Sequence, residues 1–133
     1  MLSELTAVVG AANVLTGPDM AAYARDWMGR YEGQPVAVLR PGSSAEVAAC
    51  VRIAAQHSVP VVPISGNTGL VGGTMTTGGL MLTLDRMNRI REVKRDARLV
   101  IAEAGVILTR LHEAAENEGL YFPLWFGARG SAM

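Results

Sequence analysis

The sequence predicts an α+β protein with an α/β-like βαβ core, a small and mostly parallel sheet flanked by helices, and an added hairpin. Three observations carry this reading. Two short apolar runs, Val36-Ala37-Val38-Leu39 and Val61-Val62-Pro63-Ile64, bracket a segment of helical spacing, and strand–helix–strand with short links is a crossover between parallel strands. A third apolar run, Gly79 to Leu84, follows a glycine-rich loop. Finally, Ile90-Arg91-Glu92-Val93 and Leu99 to Ala104, joined through the charged stretch Lys94 to Arg98, read as two strands of a hairpin.

Taken in order, Leu2, Leu5, Val8, Val9 and Ala12 recur at helical spacing, which predicts a helix over the first fifteen residues, ended by Thr16-Gly17-Pro18-Asp19. Tyr23 to Gln34 has no clean period and reads as an irregular linker with one helical turn. The chain therefore divides into an N-terminal helix and linker, 1–34, and a patterned domain, 35–133. Pro35 and Pro41-Gly42 bound the first strand. Ser43-Ser44-Ala45-Glu46 is a capping-box pattern, with Ser43 as N-cap and Glu46 reaching back. The helix it starts carries Val47, Cys50, Val51, Ala54 and Ala55 on one face and ends near His57. Val36–Leu39 and Val61–Ile64 are then expected as parallel neighbours. After the third strand, Asp85 to Asn88 makes a turn. Leu108 to Glu118 forms an amphipathic helix with Leu111, Ala114 and Ala115 inward, closed by Gly119.

Half of the 133 residues are hydrophobic, enough for one domain with a real core. Lys and Arg number 12, as do Asp and Glu, and Val36 to Thr83 holds only Arg40, Glu46 and Arg52 as full charges. No basic face for nucleic acid is predicted. The single cysteine, Cys50, excludes an internal disulfide and a Cys-based zinc site, and its apolar helical setting makes it a small buried hydrophobe. No apolar run nears the roughly 20 residues of a membrane helix. The N-terminus has Glu4 and no basic residue before its apolar part, unlike a secretory signal. A cytoplasmic protein is expected. His57 and His112, both on predicted helices, read as surface or cap residues, and no catalytic or metal-ligating residue is assigned.

The chemistry concentrates in Ser65-Gly66-Asn67-Thr68-Gly69-Leu70-Val71-Gly72-Gly73-Thr74, which places four glycines in eight residues directly after a strand. Ligands of open α/β sheets bind outside the carboxyl ends of the strands. Successive backbone N–H groups of a glycine-rich turn form a concavity for an anion without cationic side chains. Ser65, Asn67 and Thr68 add side-chain donors, so a phosphate or pyrophosphate is the natural guest. Two familiar phosphate loops are excluded. Gly73 is followed by Thr74 with no lysine, so this is not a Walker loop. The glycine spacing, and a position after the second strand of the βαβ unit, also exclude the dinucleotide fingerprint.

The run from Pro35 to Thr74, PVAVLRPGSSAEVAACVRIAAQHSVPVVPISGNTGLVGGT, resembles the start of the FAD-binding domain of the vanillyl-alcohol oxidase type, also called PCMH-type. Within that group it is most similar to the FAD-linked D-2-hydroxyacid dehydrogenases: D-lactate dehydrogenase, the glycolate oxidase FAD subunit and D-2-hydroxyglutarate dehydrogenase. The resemblance covers Pro35 to Met133. It implies that Ser65, Gly66, Asn67, Thr68 and Gly69 wrap the FAD pyrophosphate, with Leu70, Gly72 and Gly73 continuing the turn. It further implies a second cofactor-contacting segment at Pro123, Leu124, Gly127, Ala128, Gly130 and Ser131. Asn67 stands where some relatives tether FAD through a histidine, so noncovalent FAD is expected. Arg129 reads equally as a phosphate neighbour and as a surface arginine.

The implied activity is oxidation of a small D-2-hydroxy acid by hydride transfer to the flavin. The family's substrate-binding residues have no counterpart here. The chain is thus expected to be the first subdomain of such a domain, inactive by itself, with the second half outside it. A different reading is a short nonenzymatic βαβ module that binds a partner or self-associates through Phe122 to Phe126. Self-association also follows if the absent half normally covers Val61 to Leu84. An alcohol oxidase or cell-wall precursor reductase with the same FAD domain is a third reading, which the GNTGLVGG run disfavours.

Overall fold

The computed structural model of the chain describes residues 1–131, and Ala132 and Met133, the end of the predicted closing segment, lie outside the described residues. Helix α1 (Leu2–Val9) is shorter than predicted. Gly10 turns the chain at φ +83, and Asn13 Nδ2 donates to the Val9 carbonyl at 2.7 Å, satisfying a group the helix leaves open. Ala12 therefore lies in an exposed 3₁₀ turn and not on a helical face. Val14–Leu15 forms a strand the sequence reading missed, β1, antiparallel to β2 (Ala37–Leu39). The stretch Tyr23 to Gln34 is irregular as expected, but its helical turn is absent, and an Arg25–Glu32 bridge closes it into a loop.

Helix α2 (Ser44–Gln56) starts as the capping pattern requires: Ser43 is extended and its hydroxyl accepts the Glu46 N–H at 3.2 Å. The Glu46 carboxylate accepts from the Gly42 N–H at 2.8 Å, one residue earlier than a standard box. Cys50 and Ala54 are buried and Val47 partly so, but Val51 and Ala55 are exposed. The buried face is rotated toward Ile53, which packs against the cluster containing Leu5 and Val9 of α1.

Strands β3 (Val61–Ile64) and β4 (Leu80–Thr83) complete a sheet of order β1-β2-β4-β3. The expected adjacency of β2 and β3 is corrected here. Leu80 lies between Ala37 and Val61, and β4 runs parallel to both strands. The physical reason is burial. All four β4 residues are buried, so this strand takes the centre, where both of its faces are covered. One face packs Leu39, Leu80 and Leu82 under α1 and α2. The other packs Val38, Ile64 and Met81 under Leu15, Met20, Tyr23 and Met75.

The hairpin of β5 (Ile90–Lys94) and β6 (Leu99–Ala102) forms its own two-stranded sheet. Helix α3 (Leu108–Asn117) lays Leu108 and Leu111 against Ile90, Val100 and Ala102. It ends in a Schellman motif: the Leu120 N–H reaches the Ala115 carbonyl, the Gly119 N–H reaches that of Glu116, and Gly119 takes φ +68. His112, expected at the surface, is buried because the C-terminal segment folds back over it. No helix among the described residues is long and apolar enough to cross a membrane.

Glu103 stitches β6 to the turn before β5. Its carboxylate is buried, accepts the Arg89 N–H at 3.0 Å, and pairs with the guanidinium groups of Arg89 at 2.9 Å and Arg91 at 3.2 Å. The Arg89 side-chain bonds lead in pulling its pKa from 4.5 down to about 2. A depressed carboxylate stabilises the fold fully above its unfolded pKa, and that contribution disappears as pH falls through the folded value. Thermal melts from pH 7 to pH 2 are therefore expected to show a wild-type loss of Tm, between about pH 4.5 and pH 2, that Glu103→Gln lacks.

Candidate functional site

The glycine loop leaves the carboxyl end of β3 at Ser65 and returns to the sheet at β4. Asn67 adopts φ +51, a conformation its short polar side chain tolerates. Its Nδ2 donates to the Arg25 carbonyl at 3.0 Å, and its Oδ1 accepts the Thr74 hydroxyl at 2.8 Å. This side chain, read from sequence as a ligand donor, is thus engaged within the protein. The hydroxyls of Ser65 and Thr68 have no hydrogen-bond partner among the described residues.

The loop's glycines divide into two kinds. Gly72 has φ +70, and a Cβ on it would lie 2.8 Å from the Tyr31 ring, so conformation and packing both demand glycine. Gly69 and Gly73 are different. A Cβ on either would meet nothing within 4 Å, and neither has a left-handed φ. Gly127 and Gly130 of the second segment show the same two features. Among the described residues, neither packing nor backbone conformation requires glycine at these four positions.

The second segment is pinned onto α3. The Arg129 carbonyl accepts both the N–H and the hydroxyl of Thr109 at 3.0 Å. His112 Nε2 donates to the Leu124 carbonyl at 2.9 Å, and its ring stacks on Trp125 at 4.5 Å. The Arg129 guanidinium covers Trp125 at 4.7 Å. The Ser131 N–H and hydroxyl both turn back to the Ala128 carbonyl.

Ser65 and Ser131, from the two predicted segments, line one cavity of about 210 Å³ together with Asp85, Asn88, Gly105, Ile107 and Arg110. The cavity lies beyond the carboxyl ends of β3 and β4. Of the predicted site residues only these two serines border it; Gly66, Asn67, Thr68, Gly69, Leu70, Gly72 and Gly73 of the loop, and Pro123, Leu124, Gly127, Ala128 and Gly130 of the second segment, do not. Asp85 pairs with Arg40 at 3.0 Å, and Arg110 Nη1 donates to the Asn88 carbonyl at 3.0 Å, so the charged wall is internally braced. Asp85, Asn88 and Arg110 were not singled out from sequence. Applying the carboxyl-end rule to the third strand as well as the second would have pointed to Asp85 and Asn88. A larger cavity of about 360 Å³, between the hairpin and the C-terminal half of α3, is bordered by none of the predicted site residues.

Known proteins resemble this chain over most of its length. D-2-hydroxyglutarate dehydrogenase of Xanthomonas citri pv. viticola is 41% identical over 130 residues, covering 96% of this chain and 28% of that protein. The enzyme of the same name from Stutzerimonas stutzeri is 35% identical, covering 100% of this chain and 29% of that protein. This chain therefore spans a little over a quarter of the length of these relatives. Among solved structures, 4-ethylphenol oxidase from Gulosibacter chungangensis superimposes with a TM-score of 0.78 at 30% identity, covering 89% of this chain and 24% of that one. The family described as FAD binding domain matches residues 35–133, and the chain belongs to that family.

Proposed function

We propose that the chain holds the pyrophosphate of a noncovalently bound FAD between Ser65–Gly73 and Gly127–Ser131, as part of a dehydrogenase for a small D-2-hydroxy acid. The observation that carries this reading is the set of four glycines, Gly69, Gly73, Gly127 and Gly130, whose missing side chains face open space. Glycine at such positions lets a ligand approach the backbone closely. The cavity between the segments, about 210 Å³, is below the roughly 300 Å³ at which drug-sized pockets begin. It suits the anionic centre of FAD and not the whole molecule.

The residues present fit the cofactor. Backbone N–H groups of the loop, with the Ser65 and Thr68 hydroxyls, supply donors for phosphate oxygens. Arg110 adds positive charge at the cavity wall, and Leu70 and Gly72 shape the turn. Asn67 offers no nucleophile for a covalent tether. FAD, when bound, supplies the two-electron acceptor that oxidation of a hydroxy acid requires. The substrate class rests on the two relatives, both named for D-2-hydroxyglutarate; D-lactate and glycolate are alternatives of the same chemical class. Residues that bind the hydroxy acid are not assigned to this chain. A cytoplasmic location belongs to the same proposal. Self-association through the exposed Trp125 and Leu124 is a separable property, read by sedimentation.

The test is a titration of the purified chain with FAD, followed by flavin fluorescence, with ADP and riboflavin as competitors. Saturable binding displaced by ADP and indifferent to riboflavin is expected. Equal competition by riboflavin would overturn the pyrophosphate assignment.

A further inference from the structure

We propose that the irregular segment Arg25–Tyr31 is a clamp that sets the shape of the glycine loop, and that the Asn67 side chain acts in it as a positioning residue. This segment lies outside the part of the chain matched by the family, 35–133. Two contacts hold the loop to it. The Asn67 amide spans the gap, donating to the Arg25 carbonyl at 3.0 Å while accepting the Thr74 hydroxyl from the far side of the loop at 2.8 Å. The Tyr31 ring closes over Gly72, so near that a Cβ there would sit 2.8 Å from it. Farther along, the chain after the segment pairs with the chain after the loop: the Gln34 N–H donates to the Thr76 carbonyl at 2.8 Å, and the Gly78 N–H donates to the Gln34 carbonyl at 3.0 Å.

The clamp is itself braced. Asp26 is buried, and its Oδ1 accepts the N–H groups of Arg30 at 2.7 Å and Tyr31 at 2.8 Å. The Tyr31 carbonyl in turn accepts the Asp26 N–H at 3.0 Å. These bonds fix the backbone beneath the Tyr31 ring, and the donors, led by Tyr31, hold the carboxylate in its charged form. By contrast, the stretch Ser65–Val71 makes no backbone hydrogen bond of its own within the loop among the described residues. A stretch without backbone bonds of its own keeps one shape only if side-chain and outside contacts impose that shape. A loop already shaped for an anion spares the ordering cost on binding.

The clamp is a property of the chain alone; its use in cofactor binding rests on the FAD reading above. The test separates the two. Backbone amide order parameters are measured by NMR for the ligand-free chain and for Tyr31→Ala, Tyr31→Phe and Asn67→Ala. Thr68–Gly73 amides near about 0.85 in the wild type are expected, falling below about 0.6 in Tyr31→Ala and Asn67→Ala. Tyr31→Phe should behave as wild type, because the contact uses the ring face. Amides of β2, β3 and β4 should be unchanged in every variant. The clamp is overturned if the wild-type loop is already below about 0.6, if both alanine variants leave it rigid, or if the change spreads evenly over the sheet. Failure of the wild type to bind FAD, with the NMR result as expected, would count against the cofactor reading and leave the clamp standing.

Discussion

Gly69→Leu is expected to abolish FAD binding while leaving the fold intact. A Cβ at position 69 meets nothing within 4 Å, and the backbone there has no left-handed φ, so the protein accommodates a side chain without strain. The stability change should stay within about 0.5 kcal/mol, as for ordinary surface substitutions. The same side chain, however, projects into the open space beside the loop backbone, where the proposed ligand must approach. Affinity should fall by at least about 100-fold, equivalent to about 2.7 kcal/mol. Paired thermal melts and FAD titrations check both halves. A drop in Tm matching the loss of affinity would mean that Gly69 serves the fold and not the ligand. Retained binding would remove the loop from the site.

Gly105→Ala should act on the fold first, although Gly105 also borders the cavity, because what a Cβ would meet there is backbone. Gly105 sits where the chain leaving β6 crosses the turn between β4 and β5, and its N–H donates to the Met87 carbonyl at 2.8 Å. A Cβ would collide with the Leu84 carbonyl oxygen and lie 2.9 Å from that of Met87. Both obstacles are backbone, so no side-chain rotation relieves them. Forcing the two strand connections apart should cost about 3 kcal/mol, and at this chain length lower Tm by about 10 °C. A melt within about 2 °C of wild type would show that this crossing is more yielding than the packing implies.

What was legible in the sequence was what neighbouring residues decide. The capping of α2 by Ser43, the span of α3 and its closure at Gly119 all rest on contacts within one helical turn, and the structure shows each of them. Strand order was not legible. Placing β4 between β2 and β3 depends on which strand is buried on both faces, a comparison among segments far apart in sequence. Likewise β1 has two residues, too few for any period, and exists because β2 offers it an edge. Gly10 ended α1 against a helical pattern that continued to Ala12, since one residue at positive φ overrides spacing.

The site followed the same division. The glycine run marked the loop, but the use of its side chains was hidden. Asn67 is spent on Arg25 and Thr74 because a segment with no periodicity happens to lie beside the loop. His112 is covered because the closing segment returns across α3, which helical spacing cannot foresee. Asp85, Asn88 and Arg110 meet Ser65 and Ser131 only through the way the hairpin unit sits against the parallel sheet.

The central claim is that two segments far apart in sequence form one cofactor site. Amide chemical-shift mapping of the chain on addition of FAD tests it most directly. The account predicts concerted shifts in Ser65–Gly73 and Gly127–Ser131, with Asn88 and Arg110 moving beside them. Shifts centred instead on Leu99, Leu111 and Leu120, around the larger cavity, would contradict it, as would a folded chain whose spectrum FAD leaves unchanged.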